Sequence, residues 1–188
     1  MNSKYILWLD VETTGLELSD ELLEVAVIIT DWNLIEISKK GWVINQAESI
    51  YNKMNNYVQK MHTNNGLWKE VRESTLTKEA VEYQIMKFLL PFMQKGAKFV
   101  VGGNSISFDK QIIEHHLPLL FTFFHHRIID VTSILMLVEK WLPEKYKLLT
   151  DNKTDHRVMK DIERCVESLK LIKSQVFINL DNNNDHLK

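Results

Sequence analysis

The chain has 188 residues, 45% of them hydrophobic and 26% charged, which suits one globular domain with a real core and excludes a disordered or fibrous chain. With 23 Lys and Arg against 25 Asp and Glu the net charge is −2, so it lacks the basic surplus that grips long nucleic acid; any nucleic-acid substrate is expected to be short and held by a few specific contacts. A lone cysteine, Cys165, excludes an intramolecular disulfide and points to a reducing compartment.

Tyr5-Ile6-Leu7-Trp8-Leu9-Asp10 is a continuous apolar run that predicts a buried strand. It is too short for a signal-peptide core, and no stretch approaches the roughly 18 apolar residues of a membrane span. A cytoplasmic protein with no membrane partner is expected, an organelle being left open. Leu22 to Thr30, rich in Val and Ile, predicts a second strand, and the turn Asp31-Trp32-Asn33 feeds a third from Leu34 to about Ile44, as a hairpin. A short helix is expected over Met54 to His62, then the turn signal Asn64-Asn65-Gly66. Thr77 reads as an N-cap, with Glu79 in the first turn and Val81, Ile85, Phe88, Leu89 and Phe92 at helical spacing. Lys98 to Gly103 predicts a central strand leading into Asn104-Ser105. A helix carrying Asp109, Ile112, Ile113 and His116 follows and ends before Pro118.

Ile128-Ile129 predicts a short strand. Asp130 caps a helix with Ile134, Leu135, Leu137, Val138 and Trp141 on its apolar side, and Pro143 stops it. Residues 144–155 are polar and predict a loop. A last long helix, about Arg157 to Val176, sets Ile162, Val166, Leu169 and Ile172 along one stripe. Residues 1–178 read as one domain, and the polar tail 179–188 is expected to be flexible. Early strands followed by alternating helices and strands predict an α/β fold, a mixed sheet flanked by helices.

Asp10 and Glu12 flank Val11 at the end of the first strand. Residues two apart in a strand share a face, so the carboxylates converge. Two ionised carboxylates side by side repel unless a cation lies between them, and hard divalent ions prefer such oxygen ligands. Alone, an Asp-x-Glu is most often a strand surfacing in polar residues. Later, Asn104-Ser105-x-x-Phe108-Asp109 places a carboxylate just after a central strand, and His156-x-x-x-x-Asp161 places an imidazole and a carboxylate at the start of the last helix. Each is weak singly; their order and strand context make the set specific.

These four acids and the histidine resemble the exonuclease superfamily named for Asp, Glu, Asp, Asp and His (DEDDh), whose fold is ribonuclease H-like. The spacing His156-x-x-x-x-Asp161 marks the branch in which histidine is the base. Four stretches narrow the resemblance to the oligoribonuclease family: Leu9-Asp10-Val11-Glu12-Thr13-Thr14-Gly15-Leu16, His62-Thr63-Asn64-Asn65-Gly66-Leu67, Gly103-Asn104-Ser105-Ile106 and Arg127-Ile128-Ile129-Asp130-Val131-Thr132. Order and spacing hold from about residue 5 to 177. The resemblance implies a 3′-to-5′ exoribonuclease that degrades dinucleotides and small oligonucleotides of RNA to nucleoside 5′-monophosphates. It implies two divalent cations, Mg²⁺ or Mn²⁺, about 3.5–4 Å apart on Asp10, Glu12, Asp109 and Asp161. His156 would accept the proton of the attacking water, a task suited to a group that titrates near ~6.5 when free.

The same resemblance implies how a short substrate is gripped. Leu16 matches an aliphatic wedge between the terminal bases, and Tyr57 stands where the family carries a tryptophan platform. Ser105, Arg127 and Thr132 match a cap on the 5′ phosphate, with His62 nearby. Three positions depart from the family: Tyr57 from tryptophan, Thr132 from a common serine, and His126 from a tyrosine that reaches a partner's site in a homodimer. Taken alone, Tyr57 is equally an ordinary half-buried helix aromatic and Arg127 a surface ion pair. The apolar run Leu117 to Phe124 suggests either an association surface or core. The rival reading is an exonuclease of the same superfamily acting on longer single-stranded DNA or RNA 3′ ends. A retained fold that binds without cutting is opposed by the presence of all five residues.

Overall fold

In the computed structural model, which describes residues 3–149 and 156–177, the first apolar run becomes the middle strand of a five-stranded sheet. β1 (Tyr5–Thr13) pairs antiparallel with β2 (Leu22–Asp31), and β2 antiparallel with β3 (Glu36–Val43). Between β3 and the next strand lie α1 (Glu48–Tyr51), α2 (Asn56–Asn64), α3 (Leu67–Glu73) and α4 (Lys78–Leu89). On its other side β1 pairs in parallel with β4 (Phe99–Gly103), and β4 in parallel with β5 (Phe124–Asp130). The order β3-β2-β1-β4-β5 is the mixed sheet expected. The hairpin between β2 and β3 turns at Asp31, whose carboxylate accepts the N–H groups of Asn33 and Ile35 at 2.9 Å each.

The two-residue period of β1 sorts its side chains into two dry layers. Leu7, Leu9 and Val11 pack with Val81 and Ile85 of α4 and with residues of α5 (Ser107–His116) and α6 (Pro118–Phe121). Ile6 and Trp8 face the opposite layer, built from α7 (Val131–Trp141), α8 (Pro143–Leu149) and α9 (Val158–Ile172), where Val138, Ile162, Cys165 and Val166 meet them. A smaller cluster under α2 and α3 gathers Leu23, Val58, Leu67, Trp68 and Val71. Two caps read from the sequence are made: Thr77 accepts the N–H of Ala80, and Asp130 that of Ser133.

The structure corrects several expectations. Residues 143–149 form α8, not loop: Pro143 halts α7 and then opens a new helix, with Glu144 in its first turn and Leu149 buried. The remainder of that expected loop, and the tail 179–188, lie outside the described residues. The turn Asn64-Asn65-Gly66 leads directly into α3, with Gly66 at φ 81° where a side chain would be strained. On α7, Leu137 and Trp141 face solvent, Trp141 at 71% exposure, while Val138 alone of that stripe is fully buried. The run Leu117 to Phe124 divides: Leu117, Leu120 and Phe124 are core and Leu119 is exposed. β5 is also longer than the Ile128-Ile129 pair.

Gly102 pairs with Trp8 across the β1–β4 ladder, and a Cβ on it would stand 2.6 Å from the Trp8 ring. That ring is fully buried and its indole N–H is spent on Thr30 Oγ1 at 2.9 Å, so it has no room to retreat. Gly102→Ala should lower stability by about 1–3 kcal/mol, the cost of overpacking a filled core. Urea unfolding checks this through a lower midpoint at unchanged slope.

Candidate active site

Asp10 and Glu12 continue the face of β1 that begins with Ile6 and Trp8, so both look toward α9. Asp161, in the first turn of α9, meets them: one ligand oxygen from each of Asp10, Glu12 and Asp161 lies within 4.8 Å of the others. Asp109 joins from α5. The β1–β4 pairing runs as far as Trp8 and Gly102, and beyond it the N–H of Val11 is donated to Asp109 Oδ1 at 3.0 Å. The carboxyls of Asp109 and Asp10 lie close enough for each to act on the other's ionisation. Residues from positions 10, 12, 109 and 161 therefore meet at one end of the sheet.

Their charges are poorly tolerated there. Burial, then Asp109, Glu12, Asp161 and Glu24, pushes the Asp10 carboxyl well above the usual range. Burial, then Asp161 and Glu24, pushes Glu12 up to about 8. Burial raises Asp109 to about 7, against the opposing pull of the Val11 N–H. Carboxyls that keep protons near neutrality lack a counter-charge. An all-oxygen set of this kind fits a hard divalent cation, whose charge would replace the protons.

His156 stands just before α9 at φ 48°, and it lines a groove of about 560 Å³ together with Glu12, Leu16, Lys53 and Tyr57. Leu16 is 82% exposed and Tyr57 69% exposed, both presented to the groove. The Leu16 loop is held by Asp20, whose carboxylate accepts the Glu17 N–H at 2.8 Å and the Thr14 hydroxyl at 3.2 Å. A Cβ at Gly15 would overlap that carboxylate. Tyr57 projects from the first turn of α2, where Asn55 Oδ1 accepts the N–H groups of Tyr57 and Val58 at 3.0 Å. Lys53 was not singled out by sequence, because an isolated lysine carries no pattern.

Two of the residues expected to cap a phosphate, Ser105 and Thr132, lie in contact. Ser105, at φ 48°, donates its N–H to Asp130 Oδ1 and Thr132 Oγ1 at 3.1 Å each, and its hydroxyl lies 3.4 Å from that of Thr132. Arg127 is exposed on β5, its N–H on His125 Nδ1. His126 stacks on His125 at 4.1 Å between ring centroids, and lines a different cavity with Lys98 and Lys110. His62 corrects the expectation of a substrate contact: it is 0% exposed, its Nε2 lying 3.0 Å from the Thr13 carbonyl. It braces the end of β1 from beneath. Burial lowers its pKa, partly offset by that carbonyl.

Four further residues belong to the site and were missed. Glu24, opposite Glu12 on β2, accepts the Arg157 guanidinium at 3.1 and 3.0 Å; Glu70 of α3 accepts it at 2.9 and 2.7 Å. Asn65 donates to the His156 carbonyl at 2.6 Å. The one available signal was Glu24 itself, a charge inside the otherwise apolar run Leu22 to Ile29, which demands a buried partner.

Converging acids on a strand, a first-turn acid on the last helix and a groove-lining histidine define a nuclease centre, and the wider comparisons agree. Residues 7–169 match the profile of the RNase_T family, described as Exonuclease, and the chain belongs to that family. Within it, the chain is an oligoribonuclease-family member. It is 36% identical over 184 residues to the oligoribonuclease of Actinobacillus pleuropneumoniae, covering 96% of this chain and 98% of that one. It is 30% identical over 174 residues to the mitochondrial oligoribonuclease of Mus musculus, covering 92% and 73%. Among solved structures, exonuclease I superposes with TM-score 0.73 at 16% identity, over 96% of this chain and 43% of that one. A complex of Escherichia coli exonuclease I with a dT13 oligonucleotide gives 0.71 at 16% identity, over 96% and 43%. These two share the fold.

The raised carboxyls make metal-free stability depend on pH. Glu12 and Asp109 hold protons more tightly folded than at their ordinary values of 4.5 and 3.8, so their contribution is full below those values. It is lost as pH rises through about 7 and about 8. In EDTA, Tm should fall between about pH 5.5 and about pH 8.5, and Mn²⁺ should reverse the fall by binding the deprotonated cluster. Asp10→Asn should raise Tm in EDTA at the higher pH and erase the Mn²⁺ effect. Calorimetry checks all three; a flat profile in EDTA would count against the burial of these charges.

Proposed function

We propose that this chain is a 3′-to-5′ exoribonuclease acting on dinucleotides and very short oligonucleotides of RNA, with His156 as general base. One observation carries the reading: the carboxylates of Asp10, Glu12 and Asp161 come together with Asp109 alongside on the Val11 N–H, and Glu12 of that cluster lines the same groove as His156, Leu16 and Tyr57. The oligoribonuclease relatives and the absence of a basic surplus favour the short substrate.

The four carboxylates would hold two divalent cations, Mg²⁺ or Mn²⁺, which when bound supply Lewis acidity at the scissile phosphate. Leu16 wedges between the terminal bases, and Tyr57 offers its π-face to one of them. Arg127, with the hydroxyls of Ser105 and Thr132, holds the 5′ phosphate, so that the grip is complete when the chain is two nucleotides long. The His156 imidazole takes the proton of the attacking water, whose oxygen bonds to phosphorus as the bond to the 3′ oxygen breaks. A nucleoside 5′-monophosphate leaves, and the 3′ oxygen regains a proton. His62 supports the centre through Thr13 without touching substrate.

We further propose a homodimer in which His126 reaches the partner's groove. Its support is the bare apolar face of α7, with Met136, Leu137 and Trp141 exposed, next in the chain to β5. A cytoplasmic location is proposed from the single buried thiol. Among the described residues no helix is long and apolar enough to cross a membrane.

A length series of 5′-phosphorylated RNAs, from two to about 20 nucleotides, tests the substrate in the regime where short and long chains differ in phosphate contacts. The dinucleotide should have the highest kcat/KM. Preference for the longest RNA, or for single-stranded DNA, would transfer the chain to the rival reading. Tyr57→Ala should raise KM for the dinucleotide roughly 5- to 150-fold, the loss of one stacked base at about 1–3 kcal/mol. His156→Ala should instead lower kcat, and steady-state kinetics separate the two effects.

A further inference from the structure

His156 is held in an unusual place. A non-glycine residue at φ 48° costs about 1 kcal/mol or more, so its neighbours must impose the conformation. No side chain of its own caps α9 at Arg157; the Arg157 N–H is instead donated to Asp161 Oδ2 at 3.1 Å. On one side the His156 carbonyl is taken by Asn65 Nδ2 at 2.6 Å. On the other, the Arg157 guanidinium forks onto two carboxylates at once, Glu24 of β2 and Glu70 of α3, at 2.7 to 3.1 Å.

We propose that Asn65, Arg157, Glu24 and Glu70 form a latch that positions the His156 base over the acid centre. This rests on the exonuclease reading above. The latch joins three supports to one catalytic residue: strand β2, which also lies beside Glu12; helix α3; and the junction after α2, whose first turn carries Tyr57. A base stacked on Tyr57 and the imidazole that activates water are thus set by the two ends of one helix. The planar guanidinium suits the task, because a double fork fixes orientation as well as distance. Arg157 has a second duty as counter-charge to Glu24, so Glu70, which holds the guanidinium from α3, and Asn65, which holds the His156 carbonyl, are the members that isolate the positioning effect.

The test is a double-mutant cycle on the full chain with Mn²⁺ and a 5′-phosphorylated diribonucleotide. Glu70→Ala and Asn65→Ala should each lower kcat about tenfold, the order expected for a displaced catalytic group, with KM changed less than about twofold. The Mn²⁺ concentration for half-activity should not move. The deficit should shrink as pH rises to about 9, where solvent hydroxide makes a placed base less necessary. In a His156→Ala background neither substitution should lower kcat further. An equal loss in both backgrounds, or no loss with His156 present, overturns the latch while leaving the exonuclease reading in place. A wild-type chain that fails to cleave the dinucleotide, or His156→Ala with full activity, overturns that reading and the latch with it.

Discussion

Four carboxylates crowded at the end of a dry sheet are the constraint on which the molecule is built. The like charges are brought together from β1, α5 and α9, and burial there disfavours ionisation of Asp10, Glu12 and Asp109. No folding force gathers them; they stand where the apolar alternation of β1 and the first turns of two helices put them. The fold accepts this because its two hydrophobic layers, on opposite faces of the sheet, are independent of the centre. The free energy withheld from the metal-free protein is then available to cation binding.

Around that centre the remaining charge is managed asymmetrically. Glu24 would be another like charge beside Glu12, yet it is neutralised by Arg157, which is shared with Glu70. Burial still raises Glu24, with the guanidinium pulling the other way. A cation supplied by the chain thus guards one flank, and the opposite flank stays open to the groove. Asp161 is itself paired with an arginine of the chain, Arg164, at 3.1 Å from its Oδ1, so a metal at the cluster would share that carboxylate.

Much of this was legible in the sequence where a pattern repeats within one element. The face shared by Asp10 and Glu12 follows from the period of a strand, and the hairpin at Asp31, the caps at Thr77 and Asp130 and the α4 stripe follow from local chemistry. What stayed hidden depends on contacts between elements. Pro143 marks both a stop and a start, so α8 could not be told from a loop. The α7 stripe reads as buried because periodicity reports apolar character and not what covers it; Trp141 shows the difference. His62 looks like a ligand in one dimension and proves to be a brace, since only the folded chain brings it under the Thr13 carbonyl. Arg157 and Glu70 are 87 positions apart, and nothing in either neighbourhood foretells their pairing.

Cys165 follows Asp161 by one turn of α9 and is enclosed in the layer beneath the centre. Burial, and then the negative field of Asp10, Asp130 and Asp109, drives its thiol far up from the ordinary range. Thiolate is the reactive form, so the sulfur is mute toward oxidants and alkylating reagents for as long as the acids above it stay packed. The chain therefore carries its own indicator: labelling at that sulfur marks molecules whose interior has come apart.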